Sequence, residues 1–374
     1  MNGMRRLWAG FGLAALCGAL VLIAAHQVEG PPAYRETLYV FGTLVEIEIR
    51  GEDRDTARTA SAAVGRLLQE LHSDWHAWRP GGALHAVNTA IAQGRTVQVD
   101  ERLAELLQEG RRLSCASGGH FNPAIGGLVG LWGFHADTPP QGAPPGPDAI
   151  AALVAADPRM TDLRLEGHRI GSVNPAVRLD LGGYAKGAAL DLAAAELRAH
   201  GIADAVLNAG GDVNVLGTHS QRPWRVAIRD PFAWGVVGAI ALRPGEVLYT
   251  SGNYERYLDH DSERFAHIID PRTGYPVREI VSVSVLDSSG IRADAAATAL
   301  SVAGRTGWPD VAASMGITAV LMITDTGRLM ATPAMLARLE PAGDSLPGPV
   351  ELIKLPARGT ALSCGNGRDN PPRY

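Results

Sequence analysis

Cysteine is nearly missing from this 374-residue chain: only Cys17, Cys115 and Cys364 occur. They form no CxxC pair and no HExxH is present, which takes away most of the ground for zinc or dithiol redox chemistry. Nor do they make a disulfide scaffold. A basic run is also lacking and the formal net charge is −5, which argues against a nucleic-acid binder. Low-complexity tracts and fixed-period repeats are absent. The 44 glycines and 24 prolines make up about 18% of the chain, against roughly 12% in average usage. They are dispersed, the mark of many tight turns. With 46% hydrophobic residues in recurring aliphatic runs, the chain can bury a sizeable core and is not disordered.

One long apolar run is present. Arg5 and Arg6 precede a stretch from Leu7 to Ala25, and polarity returns at His26. A positive start before an apolar segment is the pattern of an export signal. At about 1.5 Å per residue the run also nearly spans a bilayer core, so residues 1–28 are either a cleaved signal or a retained inner-membrane anchor. Leu16 before Cys17 does not fit a lipoprotein signal. Positive charge stays inside, so the remainder is expected in the periplasm, soluble or anchored through residues 7–25. There Cys115 and Cys364 can pair.

The exported part reads as mixed α and β. Thr43 to Arg50 alternates, with Val45, Ile47 and Ile49 on one face, which predicts a half-buried strand. Val64, Leu67, Leu68 and Leu71 fall at helical spacing in a helix starting near Asp53. Residues 136–149 read as a surface loop. Val177–Leu181 reads as a strand turning at Gly182-Gly183 into a helix that ends at Gly201. Strands follow at Ala205–Asn208, Trp224–Arg229, Glu246–Thr250 and Ile280–Leu286. A helix near Ala293–Ala303 closes at Gly304, and Ile317–Thr324 reads as a strand.

Four segments can carry chemistry. The turn Asp180-Leu181-Gly182-Gly183-Tyr184-Ala185-Lys186-Gly187 places glycines and a lysine at a helix start, where backbone N–H groups suit a phosphate. Taken alone it is equally a tight turn. Asn208-Ala209-Gly210-Gly211-Asp212 is a second turn between strands. His267-Ile268-Ile269-Asp270-Pro271 leads a strand into a rigid turn, and its histidine suits a base or a polar anchor. Asp294 and Thr298 stand at i and i+4 and share a helical face. Their hard oxygens suit Mg²⁺, which typically shares oxygens of a substrate diphosphate.

Taken in order, these segments resemble the ApbE family of FAD:protein FMN transferases. The resemblance also includes Phe41-Gly42-Thr43, Trp78-Arg79-Pro80 with Leu84 and Asn88, Gly119-His120-Phe121-Asn122-Pro123, Leu131-Trp132-Gly133-Phe134, and Thr250 to Arg256. It implies a mixed α/β (α+β) domain of short strands and packed helices over residues 35–335, with an irregular tail at 336–374. It further implies an enzyme that splits FAD with Mg²⁺, places FMN on a threonine of an exported electron-transfer protein, and releases AMP. By the family pattern the metal ligands are the side chains of Asp294 and Thr298 and the main-chain oxygen of Gly183. Flavin nucleotide contacts fall to Phe41, Trp78, Phe121, Asn122, Asp180, Lys186 and the backbone near Ile269, and His267 lies near the reacting phosphate. The catalytic pair is then His267, as base, and Asp294. Phe41 and Trp78 stand where methionine and tyrosine are frequent, Asn122 replaces a frequent aspartate, and Ala297 supplies no extra carboxylate. Two alternatives share the resemblance: an FAD pyrophosphatase giving FMN and AMP, and a non-catalytic FAD-binding protein. For the export reading, a reporter active only in the cytoplasm and fused after Gly30 should be silent. Cytoplasmic activity of that fusion would overturn the assigned side.

Overall fold

The computed structural model describes residues 33–136 and 138–357; the expected export segment, Cys17 and Cys364 lie outside them. The strands are β1 (Tyr34–Val40), β2 (Thr43–Arg50), β3 (Val97–Gln98), β4 (Leu163–Glu166), β5 (Arg169–Ser172), β6 (Asp204–Ala209), β7 (Asp212–Leu216), β8 (Trp224–Arg229), β9 (Val236–Leu242), β10 (Val247–Gly252), β11 (Tyr257–His260), β12 (Glu263–Ala266), β13 (Ile280–Asp287), β14 (Ala319–Thr324), β15 (Leu329–Ala331), β16 (Leu339–Pro341) and β17 (Val350–Leu352). The helices are α1 (Arg54–Asp74), α2 (Ala83–Ala92), α3 (Glu101–Ala116), α4 (Gly126–Leu131), α5 (Pro147–Ala155), α6 (Ala185–Ala199), α7 (Gly290–Met315) and α8 (Pro333–Leu336). Nine strands form the main sheet in the order β1-β2-β6-β7-β10-β13-β14-β15-β17. Within it β15 and β17 run parallel and the other neighbours antiparallel. This is the expected α+β architecture.

Alternation along the central strands sorts side chains to two cores. On β14, Val320 and Met322 join the large core under the helices, while Leu321 and Ile323 join a smaller core. A three-stranded sheet, β16-β9-β8, packs there through Ile228, Ile240 and Leu339. With both faces covered, β14 is buried along its whole length. On β2, Val45, Ile47 and Ile49 are buried as the alternation predicts, and Glu46 stays exposed.

Helices α6 and α7 cross at a point where no side chain fits. A Cβ on Gly187 would stand 2.3 Å from the carbonyl oxygen of Gly290. Two carboxylates then tie the helices together. Asp191 of α6 accepts from the N–H groups of Gly290 (2.9 Å) and Ile291 (3.1 Å), which otherwise lack partners at a helix start. Asp294 of α7 accepts from the N–H of Gly187 (2.9 Å). Gly304, at φ 69° and ψ −175°, breaks α7 where the sequence places the end of a helix.

Three readings need correction. Val177–Leu181 is extended but is not a ladder strand. Its backbone bonds to residues 123–126, and the Asn88 side chain brackets Leu179, accepting from its N–H (2.7 Å) and donating to its carbonyl (2.9 Å). One amide side chain takes the place of a neighbouring strand. The loop read at 136–149 ends early, because Pro147 opens α5 at a position that suits proline. The tail at 336–374 is not wholly irregular: β16 and β17 lie within it, and Ile353 and Leu355 pack on the large core. Strands of three residues are too short to show a period.

Replacing Gly187 with Ala should cost about 1–3 kcal/mol of stability, the usual range for overpacking, measured by urea unfolding. An unchanged midpoint would mean the helices do not depend on this contact.

Candidate active site

The turn that starts α6 is built from beneath. Tyr184 is fully buried, donates its hydroxyl to the Leu106 carbonyl (3.1 Å) and meets the Phe121 ring edge-on. This anchor fixes Gly182 and Gly183 at the surface of a cleft of about 670 Å³. A side chain at Gly183 would press on Phe121 (3.3 Å) and on Thr298 Oγ1 (3.5 Å), so the glycine and the threonine are neighbours. All the residues that the sequence singled out line this one cleft: Phe41, Trp78, Phe121, Asn122, Asp180, Gly183, Lys186, His267, Ile269, Asp294 and Thr298.

Its floor is charged. The Lys186 ammonium pairs with Asp212 Oδ2, and Asp212 Oδ1 accepts from the Thr250 N–H (3.1 Å). Burial opposes the charge on Lys186, but Asp212 and Asp294 outweigh it and raise the amine pKa. Burial drives the Asp294 carboxyl well above the carboxylate range. Asp212 and Asp191 add to that, while Lys186 and the Gly187 N–H oppose it. Desolvation likewise pushes Glu255 up to about 7, with Lys186 opposing and Asp212 adding. Desolvation of these carboxyl groups thus outweighs the opposing charge of Lys186.

His267 faces this floor as a neutral ring. Desolvation pushes its pKa down to about 4, and the charges of Arg256 and Lys186 act in the same direction. Its Nδ1 lies 3.1 Å from the Arg256 carbonyl. A carbonyl can only accept, so Nδ1 carries the proton and Nε2 is left as an acceptor. This histidine can take a proton from a hydroxyl at neutral pH.

Aromatic residues form the walls. Phe41 and Gly42 make the two-residue turn of the β1–β2 hairpin with φ of 52° and 71°. A left-handed phenylalanine is strained. It is held there because its N–H donates to His72 Nδ1 (3.3 Å) and its ring meets the His72 ring edge-on. Trp78 donates Nε1 to Asp180 Oδ2 (2.8 Å) and carries the Arg178 guanidinium over its face at 3.8 Å. The Asn122 amide is committed to the protein, donating to the Pro158 carbonyl (2.9 Å) and accepting from the Ala124 N–H (3.1 Å).

With this geometry in place, comparison with known proteins is decisive. The model of the ApbE family matches residues 41–321. A Rhodobacter capsulatus protein named FAD:protein FMN transferase is 56% identical over 355 residues, covering 94% of this chain and 68% of that protein. One of the same name from Treponema pallidum is 36% identical over 290 residues, covering 72% and 79%. The chain belongs to the ApbE family. The solved ApbE protein of Thermotoga maritima superposes with a TM-score of 0.75 at 28% identity, covering 82% of this chain and 99% of that one. The flavin transferase ApbE from Vibrio cholerae gives 0.72 at 30% identity, covering 82% and 100%.

The ApbE cleft also contains residues that sequence reasoning did not assign to the site: His72, Trp75, His76, Arg229, Tyr254, Glu255 and Arg256, and Asp212 joins them through its ion pair with Lys186. Asp212 had a signal, because it ends the Gly210-Gly211 turn. His72, Trp75 and His76 had none beyond their position at the end of α1. In the folded protein the His267 ring should titrate near pH 4, whereas the unfolded chain takes that proton near 6.5. Its contribution to stability is then full above about 6.5 and is lost as pH falls to about 4. Ring NMR shifts against pH measure this, and titration near 6.5 would remove the neutral base.

Proposed function

We propose that this ApbE protein transfers the FMN part of FAD to a threonine hydroxyl of an acceptor protein, with Mg²⁺, and releases AMP. The observation that carries the reading is convergence in one cleft. A neutral imidazole with an open nitrogen, a lysine at a helix start and three hard oxygen donors all line it. The names of its relatives support flavin transfer. The threonine Oγ forms a bond to the phosphorus of the FMN half as the bond from that phosphorus to the AMP oxygen breaks. The hydroxyl proton passes to His267 Nε2. AMP leaves with the electron pair on its phosphate oxygen, and Lys186 and the positive end of α6 offset the charge. Phe41, Trp78 and Phe121 offer ring faces and edges to the flavin nucleotide.

The donors present fit Mg²⁺. Asp294 uses Oδ2 on the Gly187 N–H, and its Oδ1 takes no hydrogen bond from the described residues. A cation there would reverse the burial effect that protonates this carboxyl. Thr298 and the Gly183 carbonyl complete a set of hard oxygens. Among the described residues no group of three or more His, Cys, Asp or Glu side chains suits a metal. A single carboxylate with substrate oxygens and water is the kind of shell Mg²⁺ prefers. When bound, the ion would neutralise charge on the diphosphate.

Placement outside the cytoplasm is part of this reading, and with it an exported electron-transfer protein as acceptor. The Arg5-Arg6 and 7–25 pattern supports it.

The test incubates the protein with FAD, Mg²⁺ and exported electron-transfer proteins and looks for covalent flavin on a threonine. Free FMN without labelled protein would mean hydrolysis instead. Asp294→Asn should fold normally, need much more Mg²⁺ and transfer poorly at saturating FAD, with Thr298→Val a milder case. A Mg²⁺ titration of Asp294→Asn that overlays the wild type would take the metal away from α7. His267→Ala should slow transfer about 10²–10⁴-fold while FAD still binds.

A further inference from the structure

A second groove, of about 490 Å³, opens from the cleft and shares Gly42, Glu255 and Arg256 with it. One wall is the segment Pro139 to Gly142, and the other is β11 through Tyr257 and Asp259. The β11–β12 hairpin is a sheet of two strands, so β11 has one paired edge and one open edge. Which residues face the open edge follows from the register. The His267 N–H donates to the Arg256 carbonyl (3.0 Å), so Arg256 points its backbone at the partner strand. In an antiparallel pair that orientation alternates. Leu258 and His260 therefore face β12, opposite Phe265 and Glu263. Tyr257 and Asp259 turn their N–H and C=O groups outward, and these are the two β11 residues that line the groove. Neither has a backbone partner outside the hairpin among the described residues.

The opposite wall is held in place. Arg256 donates Nη2 to the carbonyls of Phe134 (3.2 Å) and Ala136, just before the segment. Pro140 packs on Gly133, where an added Cβ would stand 2.9 Å from it. The groove is thus a fixed slot with an unpaired strand edge on one side, and it leads at Arg256 to His267.

We propose that this slot takes an extended segment of the acceptor polypeptide, which adds as a strand to the outer edge of β11 and delivers its hydroxyl side chain to His267. The inference rests on the transferase reading above. A transferase acting on a protein must admit main chain as well as one side chain, and this groove is continuous with the cleft. Strand addition takes its affinity from main-chain hydrogen bonds, which tolerate varied sequence. The open edge would also be a hazard without an occupant.

The experiment uses the full-length protein with FAD and a short synthetic peptide spanning the threonine that becomes labelled. Asp259→Pro removes an outward N–H without touching the β12 ladder. As the control, Arg264→Ala on β12 removes the surface ion pair with Asp259 and the stacking on Tyr257 but leaves β11 unchanged. The proline variant should raise the KM for peptide about tenfold, the effect of losing one or two main-chain bonds. The alanine variant should stay near wild type, and FAD affinity, which reads the other cleft, checks that both are folded. Amide-resolved hydrogen exchange should show peptide slowing Tyr257 and Asp259 but not Leu258 or His260. If Asp259→Pro behaves like Arg264→Ala, the groove is not the acceptor site though the transferase stands. Protection of Tyr257 and Asp259 before peptide is added would mean another occupant, this chain itself or a second copy, and would overturn the proposal. If the wild type labels neither protein nor peptide, the transferase reading fails with it.

Discussion

The contact between α6 and α7 at Gly187 and Gly290 governs the rest of the site. It lets two backbones approach more closely than any side chain permits, and that approach brings Asp294 within reach of the Gly187 N–H. Lys186 precedes Gly187, and Gly183 lies one turn earlier, beside Thr298. The charged residue of one helix and the oxygen donors of the other therefore sit together because of a contact that itself has no chemistry. Asp191 reinforces it by capping the start of α7, and it is in turn held by Asn214 (2.8 Å), which accepts from the Tyr249 hydroxyl (2.7 Å). The chain of bonds runs from sheet to helix to helix.

This packing concentrates negative charge. Asp212 and Asp294 are both buried, and Lys186 is the cation between them. Buried carboxylates without full compensation protonate rather than stay ionised, which is the direction in which Asp294 and Glu255 move. A cation among these carboxyl groups, as proposed for the metal, would offset that cost. The neutral His267 belongs to the same balance. Lys186 and Arg256 help keep it unprotonated, so the floor that suits a cation also keeps the base free.

Legibility in the sequence followed from how local each signal was. The alternation of Val45, Ile47 and Ile49 and the spacing of Asp294 and Thr298 lie within one element, so both were readable. The extended segment at Val177–Leu181 is readable, but its lack of a ladder is not, because its partners are the irregular segment 123–126 and the side chain of Asn88, both far away in the chain. Pro147 reads as a loop residue in the sequence and opens a helix in the structure, since the same fixed φ suits both. The short strands at Leu339–Pro341 and Val350–Leu352 carry no period and are set by tertiary contact. The ordered run of motifs gave the family. Of the cleft residues it missed, Glu255 had its meaning set by neighbours that only folding supplies.

Arg256 joins the two halves of the proposed chemistry. Its carbonyl fixes the tautomer of His267, and its side chain holds the segment that walls the groove. The same residue is the first on the β11 path out of the cleft. A shift of the 134–136 segment would therefore pull on the residue that orients the base, and an occupant of the groove would press on that segment. The proposed polypeptide slot and the proposed base thus share one residue, so a substitution of Arg256 would act on both at once.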